Sequence, residues 1–389
     1  MTNAYILKAV RTPGCKANRG KFVNVRPDHL ATVALKGLLD KTGIDQNDIE
    51  DVILGCSFPE AEQGMNVGRM VVLNAGLPYT VPGQTVNRFC SSGLQSISMA
   101  AERIMAGFAD CIVAGGVESM TMVPMGGNKY SANPDLVSNW PESYASMGIT
   151  AENVAEKFGI SREDQDAFGL QSNDRAIQAI EEGKFSEEII PVEVERTAVV
   201  GGELKKSTEV VDIDDGPRKT SLEKMAKLKS PFKSGGSVTA GNSSQMTDGA
   251  AVTLVVSESY LKKIQQDPMA RFVAYDVKGC PPELMGIGPS EAIPGVLKKA
   301  GMKLEDFGLV ELNEAFASQA LYCMRKVGLD QEITNVNGGA IALGHPLGCT
   351  GAKLTTTLLH EMERRGVKHG IVSMCIGGGM GAAGIFERV

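Results

Sequence analysis

The chain has 389 residues, of which 43% are hydrophobic and 22% charged, with a net charge of -7 and a pI of about 5.4. This length predicts two or three compact units, because one hydrophobic core seldom serves more than about 250–300 residues. The acidic balance argues against nucleic acid as a partner, and without an apolar run of about 18 residues no membrane insertion is expected. The first ten residues lack the basic start of a signal peptide, so we expect a cytoplasmic protein.

The first 119 residues predict alternating strands and helices. Short apolar strands are expected at 4–7, 51–54, 85–87 and 111–114, with helices at 29–39, before Gly43, and at 91–106. This order is typical of an α/β fold. Residues 120–246 differ, because polar and Met-rich loops surround a helix that Ser161 caps and Gly183 ends. We interpret this segment as an insertion, after which the α/β pattern resumes near residue 250.

A repeat relates the two ends of the chain. Near Cys90, and again near His345, a turn leads into a helix, a strand and then glycines, at 115–116 and 377–379 respectively. Two similar α/β halves that face each other would bring the two turns together. We predict an N-terminal half of residues 1–119 plus 247–268, an inserted loop domain at 120–246, and a C-terminal half at 269–389.

Cys90 lies at a predicted turn from strand to helix. A helix N-terminus favours the thiolate and offers free N–H groups, and the small residues at 91–93 allow a tight turn. A buried, unreactive cysteine would fit equally well, and the turn alone does not decide between the two. The eight cysteines include no Cys-x-x-Cys pair, so neither a metal site nor a disulfide framework is expected.

Three further segments could complete a site around this thiol. His345 lies among five glycines between residues 338 and 351, where an imidazole could accept a proton from a thiol. Cys375 precedes the glycines at 377–379, whose N–H groups could hold an oxyanion, although the run could also be an ordinary turn. Asn313 could hold a water or a carbonyl group, or simply cap a helix.

A basic segment interrupts this acidic chain. Residues 218–233 contain six basic side chains and one acidic side chain, Glu223. A phosphorylated ligand and a solvated helix face both explain such a run.

Together these segments resemble the thiolase family. The likeness extends from residues 11–13 through the Cys90 turn, 147–152, 240–244 and 313–317 to the His345 loop and Cys375. It implies a five-layered α-β-α-β-α fold of two similar halves, with a loop domain for coenzyme A inserted in the first. It also implies a homodimer or homotetramer, and an enzyme with no permanently bound cofactor that uses coenzyme A as a substrate.

The resemblance also implies a role for individual residues. Cys90 would be the nucleophile, His345 its base, and Cys375 the group that exchanges a proton with carbon. One oxyanion site would comprise His345 and a water on Asn313, and the other the N–H groups of Cys90 and Gly377. Contacts with the CoA and acyl chains would come from Met147, Arg218, Phe232, Ala240, Ser244, Ala315 and Phe316.

The likeness is greatest to bacterial degradative thiolases of fatty-acid β-oxidation. These cleave 3-ketoacyl-CoA with CoA to acetyl-CoA and a shortened acyl-CoA, and association with other β-oxidation enzymes is a further expectation. Biosynthetic acetoacetyl-CoA thiolases are the main competing assignment, but they usually carry histidine where this chain has Ser146.

Two more distant classes share part of the pattern. A decarboxylating ketoacyl synthase pairs its cysteine with two histidines or with histidine and asparagine, whereas this chain offers Cys375 in place of the second partner. A thiolase-like carrier without chemistry typically lacks one reactive residue, whereas Cys90, Asn313, His345 and Cys375 are all present. Both classes therefore fit the sequence less well than a thiolase.

Overall fold

The computed structural model describes residues 2–200 and 203–389. The strands are β1 Ala4–Arg11, β2 Cys15–Lys16, β3 Asp51–Gly55, β4 Gly83–Val86, β5 Cys111–Ser119, β6 Val192–Val200, β7 Glu203–Val211, β8 Thr247–Ser257, β9 Ala270–Gly279, β10 Leu309–Leu312, β11 His369–Ile376 and β12 Met380–Arg388. The helices are α1 Pro27–Thr42, α2 Val67–Ala75, α3 Ser92–Met105, α4 Pro134–Asn139, α5 Met147–Phe158, α6 Arg162–Glu181, α7 Leu222–Ala226, α8 Glu258–Ile264, α9 Gly288–Ala300, α10 Ala317–Val327, α11 Ala340–Leu343 and α12 Leu347–Arg365. Within the described residues, no helix has the length and apolar character needed to cross a membrane.

The main sheet is built from two similar halves. Its strand order is β10-β11-β12-β9-β1-β8-β5-β3-β4, with β2 beside β8, and the halves join where β1 pairs with β9 at Tyr5–Arg271 and Ile6–Ala270. In the first half β5 runs parallel to β3 and antiparallel to β8. In the second half β11 runs parallel to β10 and antiparallel to β12. The repeat expected from the sequence is therefore present.

Three apolar cores divide the molecule into five layers. One face of the first half-sheet packs against α1 and α2, as residues such as Leu35 and Val113 show. A central core includes Ile112 and Leu358. It is shared by the opposite face of the first half-sheet, by α3 and α12, and by the second half-sheet. The far face of the second half-sheet packs against α9 and α10. Because side chains alternate along β5, Val113 and Ile112 enter different cores, and the predicted α-β-α-β-α order is confirmed.

One detail of the predicted repeat is wrong. Gly115 and Gly116 do not follow the strand but lie inside β5, whereas Gly377 follows the end of β11. A Cβ atom at Gly116 would lie 2.2 Å from the carbonyl oxygen of Gly348, so glycine is needed there to let α12 approach the strand. As the repeat predicts, the structural counterpart of Cys90 is His345, because each precedes one of the two central helices.

Close packing brings those two helix N-termini together. A Cβ atom at Gly351 in α12 would lie 2.3 Å from the backbone nitrogen of Leu94 in α3, and one at Gly93 would lie 2.7 Å from that of Ala352. Side chains at these positions would push the helices apart. The short residues in both helices therefore place the Cys90 turn beside the His345 loop.

A buried ion pair fixes the inserted segment to the sheet. Arg11, at the end of β1, donates to both carboxylate oxygens of Asp214, at 2.8 and 2.9 Å, and to Glu188 at 2.6 Å. All three side chains are almost completely buried. Such a network tolerates the loss of a partner poorly, because an unpaired charge would remain inside the protein. The boundaries predicted for the three units stay a prediction.

Candidate active site

The Cys90 turn is held in a strained conformation. Phe89 has a φ of +40° within the short 3-10 turn at Phe89–Ser91 that precedes α3, a region that non-glycine residues rarely occupy. Asn87 Oδ1 accepts the Phe89 N–H at 2.8 Å, and the Ser92 hydroxyl donates to the Phe89 carbonyl at 2.6 Å. These bonds offset the strain and fix the position of the thiol, as is common at functional turns.

The Cys90 sulfur faces backbone donors in a buried environment. Its side chain is buried, and the N–H groups of Gly377 and of Cys90 itself are directed at the sulfur. Burial raises the pKa of Cys90 to about 12, although the two N–H groups act in the opposite direction. The resting group is therefore a thiol at neutral pH, and attack on a carbonyl carbon requires a base to take its proton.

His345 is positioned as a neutral imidazole. Its Nδ1 lies 2.6 Å from the Thr350 hydroxyl oxygen, and its backbone N–H donates to Gln245 at 3.0 Å. Burial, and to a smaller extent the charge of Lys353, lower the pKa of His345 to about 3. With Nδ1 occupied by a hydroxyl that can donate or accept, Nε2 is the nitrogen left for chemistry.

Asn313 lies beside that nitrogen. Its Nδ2 is 3.4 Å from His345 Nε2, and its backbone N–H donates to the Ser373 carbonyl at 2.9 Å, which ties it to β11. The Asn313 Oδ1 is buried and has no hydrogen-bond partner among the described residues. Because buried carbonyl oxygens normally accept a hydrogen bond, the position fits a bound water next to His345.

Cys375 is the second thiol of the site. It is completely buried in β11, two residues before Gly377. Burial is the main reason that its pKa is raised well above the usual value, and the nearby thiol of Cys90 adds to the effect. It packs in an apolar cluster with Met147, Ala151, Val238, Met285, Ala315 and Phe316. The two thiols are thus close neighbours, and an apolar cluster surrounds Cys375.

The residues predicted to bind CoA extend from the surface of the protein to this apolar cluster. Arg218 is exposed and donates to the carbonyl of Ala240 at 3.2 Å, and the Ser244 N–H donates to the Ala315 carbonyl at 2.9 Å. The rings of Phe232 and Phe316 meet edge to face, with centroids 6.2 Å apart. Exposure falls along this path, from Arg218, Phe232 and Ala240, through the half-buried Ser244 and Met147, to the buried Ala315 and Phe316.

The inner end of that path reaches the glycine turn. A Cβ atom on Gly377 would lie 3.8 Å from Met147 Sδ and 3.6 Å from the Phe89 ring. The structure thus groups Cys90, Cys375 and Gly377 together, and it places Asn313 beside His345 in the loop whose Leu347 packs against Cys90.

Sequence reasoning missed several polar residues that organise the site. Glu118 is completely buried and accepts the N–H groups of Ser57 and Gly348, both at 2.8 Å, so it joins the loop after β3 to the start of α12. Thr350 holds the His345 ring through Nδ1. Neither stands out in the sequence, because an acid at a strand end or a threonine in a helix is most often exposed.

Comparison with known proteins shows the family of this chain. Residues 4–259 match the model of the thiolase N-terminal domain and residues 266–388 that of the thiolase C-terminal domain. The chain belongs to the thiolase family. Family membership, acyltransferase chemistry and the α/β fold, all predicted from the sequence, are thus confirmed.

Relatives within the family come from several branches. A 3-ketoacyl-CoA thiolase of Bacillus subtilis is 53% identical, with all of both chains covered. A peroxisomal 3-ketoacyl-CoA thiolase of Arabidopsis thaliana is 46% identical over 98% of this chain and 87% of its own. Among solved structures, a Bacillus anthracis acetyl-CoA acetyltransferase matches with a TM-score of 0.91 and 40% identity, over 100% of this chain and 99% of its own. Human mitochondrial 3-ketoacyl-CoA thiolase matches with a TM-score of 0.90 and 38% identity over the same shares.

Proposed function

We propose that this thiolase cleaves 3-ketoacyl-CoA with CoA to acetyl-CoA and a shortened acyl-CoA, as part of fatty-acid β-oxidation. The observation that carries the proposal is the closeness of two buried thiols, Cys90 and Cys375, next to the N–H of Gly377, with His345 in the loop whose Leu347 packs against Cys90. One thiol can attack carbon while the other exchanges a proton with carbon, which is what carbon–carbon cleavage of this substrate requires.

The first half of the reaction transfers the acyl group to the enzyme. Cys90 Sγ forms a bond to the 3-keto carbon as His345 Nε2 takes the thiol proton. The bond between carbons 2 and 3 then breaks, which leaves an acyl thioester on Cys90 and a carbanion at carbon 2 of acetyl-CoA. Cys375 donates its proton to that carbanion, and acetyl-CoA leaves.

The second half returns the enzyme to its starting state. The Cys375 thiolate takes the proton of an incoming CoA thiol, and the CoA sulfur attacks the Cys90 thioester. Shortened acyl-CoA leaves, and His345 returns its proton to Cys90. A negatively charged oxygen forms in each half of the reaction. One oxyanion site would comprise His345 and a water on Asn313, and the other the N–H groups of Cys90 and Gly377. Such donors act strongly where water is excluded.

Coenzyme A would occupy the path from Arg218 to the thiols. The exposed guanidinium of Arg218 would lie near its nucleotide, Ala240 and Ser244 along its pantetheine arm, and Phe232 and Met147 near the acyl chain. Charge supports this orientation, because residues 218–233 are basic in an otherwise acidic chain. Lys233, for one, is paired with Glu156, so the segment is partly neutralised at its far end.

The length of the preferred acyl chain distinguishes this function from that of a biosynthetic acetoacetyl-CoA thiolase. We expect cleavage of 3-ketoacyl-CoA esters of eight carbons and longer to be faster than that of the four-carbon ester, and cleavage of all of them to vanish in Cys90→Ala. A coupled thiolysis assay over four to sixteen carbons measures both. Activity confined to the four-carbon ester would favour the acetoacetyl-CoA enzyme, and no cleavage by folded wild-type protein would refute the proposal.

We also propose a homodimer or homotetramer. Within residues 2–200 and 203–389, β4 ends the main sheet with one edge unpaired, and the apolar side chains of Met65, Leu73 and Tyr79 nearby in the chain are 89%, 47% and 81% exposed. Unpaired edges and exposed apolar groups favour association with another chain, and light scattering of the purified protein measures it. A cytoplasmic location and association with other β-oxidation enzymes stay predictions.

A further inference from the structure

Lys353 is a buried cation next to the active site. It lies in α12 with only 5% of its surface exposed, although lysine side chains are almost never fully buried unless paired. Its Nζ donates to the carbonyl oxygen of Leu343 at 2.6 Å and to that of Gly344 at 3.2 Å. These are the two residues that directly precede His345.

Both carbonyl groups need such a donor. Leu343 is the last residue of α11, and helix C-terminal carbonyls have no partner within the helix. Gly344 has a φ of +83°, so the chain turns sharply away from the helix at this point. An ammonium group that binds both oxygens fixes where this turn ends, and therefore where the His345 backbone begins.

The same helix also holds the imidazole ring. Thr350, which lies 2.6 Å from His345 Nδ1, is three residues before Lys353, so both residues lie on one face of α12. Lys353 thus positions the backbone of the loop while Thr350 positions its ring. Neither role was visible in the sequence, where Lys353 follows Gly351-Ala352 in an ordinary helix.

Buried acidic residues compensate the charge of Lys353. Asp214, Glu188 and Glu311 are all buried and interact electrostatically with its ammonium group. Asp214 and Glu188 are also held by Arg11. The cation therefore lies between an acidic network that extends to the inserted segment and the loop that carries His345.

We propose that Lys353 is a positioning residue for the reaction, one that sets the place of His345 through the carbonyls of Leu343 and Gly344. This inference rests on the proposed function, because the role of His345 is itself proposed. A purely structural lysine would stabilise the fold without any specific link to His345, so the test must measure that link.

A double-mutant cycle measures it. We expect Lys353→Met to lower kcat by about tenfold or more with KM for CoA within about twofold, and Lys353→Arg, which keeps the charge and the donors, to recover most of the loss. In a His345→Ala background, Lys353→Met should cost less than about twofold, because the group it positions is gone. If Lys353→Met does not fold, Lys353→Gln takes its place in the same cycle.

Thr357→Val is the matched control. Its hydroxyl donates to Glu188 at 2.9 Å one turn further along α12, so the substitution perturbs the same network without touching the loop. We expect kcat of this variant to stay near the wild-type value. A folded Lys353→Met or Lys353→Gln enzyme with unchanged kcat, or losses that multiply fully in the His345→Ala background, would overturn the proposal.

A second readout does not depend on catalysis. The chain has only four histidines, so the side-chain NMR signals of His345 can be assigned with the His345→Ala variant. We expect these signals to shift in Lys353→Met and to stay in place in Thr357→Val. Unshifted signals would overturn the positioning role, whereas shifted signals in an enzyme that cleaves no 3-ketoacyl-CoA would refute the proposed function alone.

Discussion

Replacing Cys375 with serine is expected to reduce 3-ketoacyl-CoA cleavage by about 10²- to 10⁴-fold, the range typical for loss of a proton-transfer group. A hydroxyl holds its proton far more tightly than a thiol, so serine can neither protonate the carbanion nor take the proton of CoA efficiently. Cys375 is completely buried in an apolar cluster, so no solvent water replaces it. The nucleophile Cys90 is unchanged in this variant.

The variant should therefore separate the two chemical tasks. Exchange of labelled CoA into an acyl-CoA passes through no carbanion, and a thiol with a pKa of about 8.5 loses its proton without Cys375 far more readily than a carbon does, so we expect exchange to decline less than cleavage. Cys323→Ser is a matched control, because this thiol is also buried and close to Cys375 but donates to the Gly286 carbonyl at 3.3 Å. Equal loss of exchange and cleavage in Cys375→Ser, or equal loss in the control, would contradict the assigned role.

Replacing His345 with asparagine is expected to lower both cleavage and acyl exchange, again by about 10²- to 10⁴-fold. Burial raises the pKa of Cys90 to about 12, so few thiolates exist at neutral pH without a base. The pKa of His345 is lowered to about 3, so the imidazole is free to accept the proton at neutral pH. Asparagine is polar and of similar size but cannot act as that base.

His360→Asn provides the comparison for this prediction. His360 is also buried in α12, but its Nε2 lies 3.1 Å from the carbonyl oxygen of Ala9, away from both thiols. We expect kcat of that variant to remain within a few-fold of wild type. Loss of cleavage without loss of acyl exchange in His345→Asn would mean that another group takes the proton from Cys90.

Local patterns in the sequence were enough to predict the elements that hold the reactive groups. The helix that Ser161 caps begins at Arg162, and Gly43 ends α1 with a φ of +62°. Both signals are local, because a cap bonds to an N–H three residues away and a left-handed turn needs glycine. The resemblance added what local patterns lack, namely which distant residues share one site.

Features that depend on the packing of distant elements could not be predicted from the sequence. Gly115 and Gly116 resemble a turn in sequence, yet they lie in β5, where a Cβ atom would collide with β8 at Gly115 and with α12 at Gly116. Glu118 and Lys353 resemble surface residues, and only the fold shows that each is buried among backbone groups it must bind. Burial of a charge is decided by elements far away in the chain, so a single sequence does not reveal it.

The proposed mechanism depends above all on an acyl group carried by Cys90. The most direct measurement is mass spectrometry of enzyme quenched during turnover of a 3-ketoacyl-CoA of eight or more carbons, followed by proteolysis and peptide mapping. We predict the shortened acyl group on the peptide that contains Cys90, released by hydroxylamine as a thioester and lost on addition of CoA, with Cys375 unmodified. Acylation of Cys375 instead, or turnover that persists in Cys90→Ala, would contradict it.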